Sequence, residues 1–217
     1  MDFVFEYVEL MSPNFTFFLS KGFKFDIATT SGGPVVLEMW AYPTKDENVK
    51  NLHDELKPMM ESPKKLSEIE NLDNYSAIFI PGGHGCMLNL PTNAALGKLL
   101  HMAHERLMPT VTLCHGPSVY LSTCCDGQEF AYMGYKSVCF TDKTDNFTPK
   151  VGYLPGPMPW YVQGSIVEKG VEVVNSKETG QCLVDRELIT GDSPDAADNL
   201  GKLAAPLLVK YAIDNDK

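Results

Sequence analysis

A β-branched apolar run that stops at a cysteine constrains the fold of this chain more than any other feature. The run Thr110–Leu113 is typical of a buried strand, and Cys114 and a helical-looking segment at 118–121 follow it. The sequence therefore places Cys114 where a strand turns into a helix. A side chain at such a sharp turn projects from the edge of the sheet, as a serine does in a nucleophile elbow.

This position makes Cys114 a candidate nucleophile. The N-terminus of the following helix offers N–H groups and partial positive charge, and both favour the thiolate, which is the reactive form of cysteine. A buried structural cysteine is the alternative, because an unmodified cysteine packs like a small apolar residue. The residues around Cys114 do not decide between these two interpretations.

A second predicted strand, at 76–80, ends in a loop that contains three glycines. Glycine lets the backbone approach a ligand closely and direct its N–H groups inward. If this loop lies beside Cys114 across a parallel sheet, Gly82, Gly83 and His84 could bind substrate and hold a developing oxyanion with backbone N–H groups. The alternative is an ordinary turn, since a pair of glycines is a weak signal.

Together the two stretches resemble one family. The sequence Pro-Gly-Gly-His-Gly at 81–85, followed by Leu-Cys-His-Gly-Pro at 113–117, is similar to the ThiJ/PfpI superfamily. It is most similar to the HchA branch of heat-shock chaperones and glutathione-independent glyoxalases. Further motifs at 38–43, 62–66, 152–156 and 190–194 fall in the order expected for this branch, so the resemblance covers nearly the whole chain.

The resemblance implies an α/β, flavodoxin-like fold with a mostly parallel sheet and helices on both faces. The alternation of predicted strands and helices independently favours an α/β fold, in which sites lie at the carboxyl ends of the strands. We expect one ThiJ/PfpI-like domain over 1–217, with a small lid within 44–70. We expect the first strand of the family to be missing, because only residues 1–8 precede the position of its first catalytic glutamate. We therefore expect a poorly stable, weakly active form.

The resemblance also implies an activity. Members of this branch convert methylglyoxal or related 2-oxoaldehydes to hydroxy acids through a cysteine hemithioacetal, a lyase reaction of the glyoxalase III (D-lactate dehydratase) type, and the same chemistry would repair glycated protein. A holdase-type stress chaperone is the alternative; it would use exposed apolar surface, such as Met59, Met60 and the segment 158–161. A glutaminase or cysteine protease of related fold is disfavoured because no histidine follows His115.

The family motifs assign further roles by resemblance. Glu9 with Pro13 matches the Glu-x-x-x-Pro motif, whose glutamate reaches the thiol and can act as a general acid–base. A solvated surface glutamate is the alternative. His115 would assist Cys114, and an aspartate from the loop at 141–149 would orient that histidine. Asp145 is the better match to this aspartate and Asp142 is the second candidate.

Composition excludes some partners. The formal net charge of −10 disfavours nucleic acid and anionic membranes, since both need clustered Lys and Arg. The chain lacks an apolar run of ~18 residues, the minimum for a membrane span. Six cysteines without CxxC spacing predict unpaired thiols and a reducing, cytoplasmic compartment. We expect a homodimer that acts on a small 2-oxoaldehyde or on glycated or unfolded protein.

The sequence predicts no cofactor and no metal. The HchA branch has a site of two histidines and a glutamate, and the matching positions here are Leu19, Lys24 and Leu56, which cannot bind zinc in that way. His101 and His104 have a spacing that metals can use, but no third ligand accompanies them. A solvated helix face is the expected interpretation of that pair.

Local patterns predict the remaining elements. Alternation at 23–29 predicts a strand, and residues 92–107 predict an amphipathic helix with Leu96, Leu99, Leu100, Ala103 and Leu107 on one face. A hairpin-like return is expected at 183–189. Asp192 and Ser193 are expected to cap a helix that runs to about Ile213, with a kink at Pro206.

Overall fold

Strands and helices alternate along the chain in its structure, which is a computed structural model. The structure describes residues 22–37 and 47–215. The strands are β1 (Ala28–Thr29), β2 (Lys64–Lys65), β3 (Ile78–Ile80), β4 (Thr110–Leu113), β5 (Lys136–Ser137), β6 (Glu172–Val173), β7 (Cys182–Asp185) and β8 (Leu188–Gly191). The helices are α1 (Glu47–Glu61), α2 (Ala94–Glu105), α3 (Asp142–Asp145), α4 (Val162–Glu168) and α5 (Ala197–Asp214). Segments of 3₁₀ helix lie at Leu66–Glu68, His84–Met87, Leu90–Thr92, Gly116–Gly127, Thr148–Val151 and Pro194–Ala196.

The central sheet has the strand order β3-β4-β8-β7. Strands β3, β4 and β8 run parallel, and β7 pairs with β8 in the antiparallel direction. The two-stranded pairs β1–β2 and β5–β6 are also parallel. The mostly parallel sheet is therefore confirmed, and the expected return at 183–189 is the β7–β8 hairpin.

Both faces of the central sheet are covered. Alternate side chains of the strands enter two different apolar clusters, as the period of two along a strand requires. Phe79, Val111 and Ile189 pack with buried residues of α1 and α5 on one face. Ile78 and Ile80 pack with α2, α4 and the 3₁₀ segment after Cys114 on the other face. This arrangement confirms the flavodoxin-like layering.

Helix α2 ends earlier than the apolar pattern predicts. Leu107 has a φ of 49°, and the N–H groups of Leu107 and Met108 donate to the carbonyls of His104 and Ala103. These two bonds form a Schellman motif, in which the second residue after the cap turns back to the helix. Met108 is therefore buried and Leu107 is 63% exposed, so the prediction for Leu107 was wrong.

The histidines of α2 do not form a solvated pair. His101 Nε2 lies 2.9 Å from the carbonyl oxygen of Thr123, and His104 Nδ1 lies 2.7 Å from a carboxylate oxygen of buried Glu187. The two rings, which are partly exposed, therefore have separate hydrogen-bond partners in the protein and are not simply a solvated face.

The strand predicted at 23–29 is shorter than expected. Phe23, Phe25 and Ile27 are buried and alternate with more exposed neighbours, as predicted. Within the described residues, however, the strand comprises only Ala28–Thr29. The alternation was correct for burial and wrong for the extent of pairing.

Asp192 and Ser193 do not cap the last helix with their side chains. The Asp192 carboxylate accepts hydrogen bonds from the N–H groups of Thr179 and Gly180, and the Ser193 hydroxyl donates to the same carboxylate. Asp192 and Ser193 thus connect the segment that precedes β7 to the end of β8, so the capping prediction was wrong. Helix α5 continues through Pro206 to Asp214.

The region of the predicted lid contains a helix that contributes to the core. Leu52, Leu56 and Met60 of α1 are buried in the apolar cluster on one face of the sheet. The lid within 44–70 and the single domain over 1–217 remain predictions, and the first strand of the family would fall outside the described residues. Among the described helices, none is long and apolar enough to cross a membrane.

Candidate functional site

Cys114 occupies a strained turn directly after β4. Its φ is 59°, a left-handed conformation that residues with a Cβ rarely adopt. The Cys114 N–H donates to the carbonyl of Gly191 at 2.8 Å, and the Cys114 carbonyl accepts from the N–H of Phe140 at 2.9 Å. The peptide is therefore fixed on both sides, which holds the thiol in the geometry of a nucleophile elbow.

The glycine loop after β3 passes very close to this turn. Gly82 has a φ of 107°, and a Cβ at this position would lie 2.5 Å from the carbonyl oxygen of Leu113. Any other residue at 82 would therefore clash with the end of β4. The sequence predicted that the loop approaches Cys114, and the structure brings the two together.

The thiol of Cys114 faces the imidazole of the next residue in the chain. Cys114 Sγ lies 3.2 Å from His115 Nδ1, and His115 Nε2 lies 2.9 Å from a carboxylate oxygen of Asp145. An ionised carboxylate only accepts hydrogen bonds, so Nε2 carries the proton of the neutral ring. Nδ1 is then an acceptor directed at the thiol, which is the arrangement of a nucleophile, a base and an orienting carboxylate.

A network of hydrogen bonds positions Asp145 on α3. The segment predicted as a polar loop is this short helix, and Thr141 caps it by accepting from the N–H of Thr144. The Glu178 carboxylate accepts from the N–H and hydroxyl of Thr141 and from the hydroxyl of Thr144. The Thr148 hydroxyl donates to the Asp145 carbonyl. Both ends of the helix are thus fixed, and Asp145 is 1% exposed.

Asp142, the second candidate for the orienting aspartate, has another role. Its two carboxylate oxygens accept hydrogen bonds from the N–H groups of Gln163 and Gly164, each at 2.9 Å. Asp142 therefore binds the first turn of α4 through its carboxylate. The structure brings Asp145 to His115 instead.

Two imidazoles share the Asp145 carboxylate. His84 Nε2 lies 3.0 Å from the oxygen Oδ1, on which His115 Nε2 also converges at 3.1 Å. Burial by itself would raise the pKa of Asp145, but the hydrogen bonds from His115 and His84 outweigh it and lower the pKa to about 2. Asp145 is therefore a carboxylate throughout the neutral range.

Aromatic rings enclose His115. The Phe140 ring stacks on His115 with centroids 4.7 Å apart, and the His84 ring packs against it at 4.1 Å. Sequence reasoning used only the backbone of His84 and did not identify Phe140 or Glu178. The available signal for Phe140 was the β-prone run at 137–140, whose pattern predicts a short strand that ends at this residue, because strand ends define the edge at which sites form.

A cavity of about 300 Å³ opens onto the thiol. Cys114, His115 and the loop residues Gly83 and His84 lie on one side of it. Its remaining lining is largely apolar: Phe140, Thr148, Val151, Tyr153 and Pro194. A small carbonyl compound in this cavity would lie next to Cys114 Sγ and to the glycine loop that is predicted to hold an oxyanion. Within that loop, Gly82 allows the close approach to β4 and does not line the cavity.

The structure does not test all of the expected site residues, because Glu9 and Leu19 are outside the described residues. Lys24 is exposed and Leu56 is buried in the core, so neither supplies a donor for the zinc site of the HchA branch. The residues present do not fit that metal.

All six cysteines are reduced thiols in the structure. Burial raises the pKa of Cys182 to about 11 and raises that of Cys139 further. These two thiols are therefore poor nucleophiles at neutral pH. Of the three, only Cys114 lines the cavity beside His115.

The fold and the thiol site together define a ThiJ/PfpI-type α/β protein. Glyoxalase III from Candida albicans has the same fold, with a TM-score of 0.73 at 17% identity over 95% of this chain and 96% of that one. No protein-family profile matches the chain.

Other relatives are more similar to this chain in sequence than that glyoxalase is. The chain is 40% identical to the protein/nucleic acid deglycase HchA of Pseudomonas aeruginosa over 214 residues, which are 94% of this chain and 72% of the relative. The HchA deglycase of Escherichia coli is 39% identical over 198 residues, 89% of this chain and 69% of the relative. The chain therefore belongs to the HchA family of enzymes within the ThiJ/PfpI superfamily.

Proposed function

We propose that this chain is a glutathione-independent glyoxalase that converts methylglyoxal or related 2-oxoaldehydes to hydroxy acids and also acts on early glycation adducts of proteins. The relatives named as protein/nucleic acid deglycases support the proposal. The observation that carries it is the placement of Cys114 Sγ 3.2 Å from His115 Nδ1 at the wall of the cavity. The reaction class would be a lyase of the D-lactate dehydratase type.

The proposed reaction begins at the thiol. Cys114 passes its proton to His115 Nδ1, and the sulfur attacks the aldehyde carbon of methylglyoxal to form a hemithioacetal. The proton on that carbon moves to the neighbouring carbon through an enediol, and this converts the hemithioacetal to a thioester of lactate. Water then cleaves the thioester to lactate and restores the thiol. The sum is one methylglyoxal and one water to one lactate.

The described site residues have separate roles in the proposed reaction. His115 accepts and returns the proton of Cys114, and Asp145 holds its ring and stabilises the imidazolium. Backbone N–H groups of Gly83 and His84 are the proposed donors to the hemithioacetal oxygen. Glu9, which lies outside the described residues, remains our proposal for the base that moves the proton between the two carbons.

Repair of a glycation adduct would use the same site. A hemithioacetal or aminocarbinol on a protein side chain already contains the 2-oxoaldehyde, and its transfer to Cys114 would release the repaired thiol or amine. The net charge of −10 disfavours close contact with polyanionic nucleic acid. We therefore propose small 2-oxoaldehydes and glycated proteins as substrates.

The chaperone alternative gains no support from the residues that suggested it. Met60 is buried in the core and Met59 packs against the same cluster. Met158 and Trp160 are partly buried against the other cluster. These side chains therefore do not form the exposed apolar surface that a holdase needs.

The cellular setting is also a proposal. Six reduced cysteines suit a reducing compartment, so we propose a cytoplasmic enzyme. The resemblance to the family supports a homodimer, which light scattering on the purified protein would test.

The test is turnover of methylglyoxal in the absence of glutathione. Cys114→Ser should lose activity by more than about 10³-fold, because the hydroxyl is a far weaker nucleophile at neutral pH. The matched control is Cys182→Ser, a half-buried thiol whose Sγ donates to the Ala196 carbonyl, and this variant should keep its turnover. Near-normal turnover by a folded Cys114→Ser variant would rule out the mechanism.

A further inference from the structure

Three potential metal ligands converge beside the thiol. One ring nitrogen of His84, one ring nitrogen of His115 and a carboxylate oxygen of Asp145 all lie within 4.8 Å of one another. Both rings direct the same type of nitrogen at the same carboxylate, at 3.0 and 2.9 Å. His115 and Asp145 are buried, and the side chain of His84 is 16% exposed. His84 and His115 line the cavity, and none of the three residues is at a sequence position that matches the HchA zinc site.

The chemistry of this donor set fits a divalent transition metal. Two histidines and a carboxylate form a donor set that zinc uses where it keeps one coordination position open. At Zn–N and Zn–O bonds of about 2.0–2.2 Å, the ligand atoms of a tetrahedral ion lie about 3.3 Å apart. The nitrogen-to-oxygen distances here are close to that value, so an ion could replace the two shared protons after a small outward shift of the side chains.

The environment of the cluster also suits an ion. The Asp145 carboxylate is ionised at neutral pH and its helix is fixed by Thr141, Thr144 and Glu178. His84 and His115 both line the cavity, which leaves room for water or a substrate oxygen at the fourth position. Cys114 Sγ faces the opposite nitrogen of the His115 ring, so the thiol is not in this ligand set.

We propose that His84, His115 and Asp145 form a binding site for a zinc-type divalent cation, and that the bound ion inhibits the Cys114 thiol. The metal bonds to the lone pair of each Nε2, so each neutral ring carries its single proton on Nδ1. His115 Nδ1 then becomes a donor towards Cys114 and cannot accept the thiol proton. The ion also takes over the carboxylate that orients His115.

Metal binding can be tested without turnover. Cobalt(II), which reports its ligands through its visible spectrum, is titrated into the wild type, Cys114→Ser, His84→Gln and His53→Gln. The wild type and Cys114→Ser should bind one cobalt per chain without a thiolate charge-transfer band. His84→Gln should bind more than about 100-fold more weakly, since loss of even an outer partner of a metal site costs ~10- to 100-fold. His53→Gln, which changes a histidine on α1 beside Asp54, should bind normally.

The inhibitory half of the proposal rests on the proposed function and has its own readout. Added zinc should suppress methylglyoxal turnover over the concentration range in which it displaces cobalt, and a chelator should restore it. Binding without inhibition would overturn this half. If the protein has no turnover, the proposed function fails and the cobalt titration still tests the site.

Several outcomes would overturn the site itself. These are no cobalt binding by the wild type, unchanged affinity in a folded His84→Gln variant, lost affinity in His53→Gln, or a thiolate band that disappears in Cys114→Ser. If His84→Gln does not unfold cooperatively, Asp145→Asn serves as the second variant. It removes the anionic ligand and should weaken binding to a similar extent, and unchanged affinity would again contradict the site.

Discussion

Cys114 and His115 are neighbours in the chain, yet the sulfur of the first lies 3.2 Å from Nδ1 of the second. This contact depends on the φ of 59° at Cys114, which turns the backbone at the end of β4. The strain of such a conformation, about 1–3 kcal/mol, is offset by the hydrogen bonds of the Cys114 peptide to Gly191 and Phe140. The base and the nucleophile therefore come from one rigid turn.

The first prediction separates the two candidate aspartates. Asp145→Asn should lower methylglyoxal turnover by about 10²- to 10⁴-fold, because the amide can donate to Nε2 and so favours the wrong tautomer of His115. Asp142→Asn should leave turnover nearly normal and cost about 0.5–2 kcal/mol of stability, since it weakens the contact with the first turn of α4. Equal loss of turnover in both variants would contradict the assignment.

A second prediction concerns the close approach at Gly82. Gly82→Ala should destabilise the protein by more than about 1–3 kcal/mol and reduce turnover strongly, because its Cβ would lie 2.5 Å from the Leu113 carbonyl oxygen. Gly127→Ala is the matched control. It has a φ of 76° with nothing within 4 Å of the added carbon, so it should cost about 1–2 kcal/mol and keep turnover.

Thermal unfolding and turnover of both glycine variants measure these effects. Equal behaviour of the two variants would mean that only the backbone conformation matters at position 82. The contact with β4 would then have no part in the site.

A third prediction concerns Glu178 and pH. Burial would raise the pKa of Glu178, but the hydrogen bonds from Thr141 and Thr144 lower it below its usual value. A carboxyl whose pKa is lowered in the folded protein stabilises the fold when the pH is above its ordinary pKa. This contribution is lost as the pH falls through the lowered pKa of the folded state. The wild type should therefore lose stability on acidification below the ordinary pKa of 4.5.

Glu178→Gln should be less stable by about 1–3 kcal/mol at neutral pH and should show a weaker decline in acid. Chemical unfolding at neutral pH and at about pH 4 measures both. The control is Glu168→Gln, which changes an exposed residue of α4. A pH dependence of Glu178→Gln identical to that of the wild type would contradict the role of this carboxylate in holding α3.

A fourth prediction concerns metal removal. A strong chelator should leave methylglyoxal turnover unchanged or raise it, because the proposed reaction uses a thiol, an imidazole and a carboxylate. The HchA zinc positions carry Leu19, Lys24 and Leu56, which do not form a donor set. Loss of turnover that zinc then restores would contradict both statements.

The sequence by itself determined the elements whose signals are local. The β-branched run before Cys114, the glycine loop after β3 and the return at 183–189 each predicted the structure that forms. This is possible because strand pattern and turn chemistry depend on residues a few positions apart. The same signals placed Cys114 and the Gly82–Gly85 loop at one edge of the sheet.

Only the tertiary structure decided which side chains meet. Asp145 reaches His115 across 30 residues and His84 across 61. The family resemblance favoured Asp145 over Asp142, but only the fold shows that Asp145 contacts both rings. Leu107 and Met108 are both apolar, and the hydrogen bonds that end α2 decide which of them is buried. The site therefore depends on contacts between distant segments, because burial and hydrogen-bond satisfaction are set by the packed fold as a whole and not by neighbouring residues.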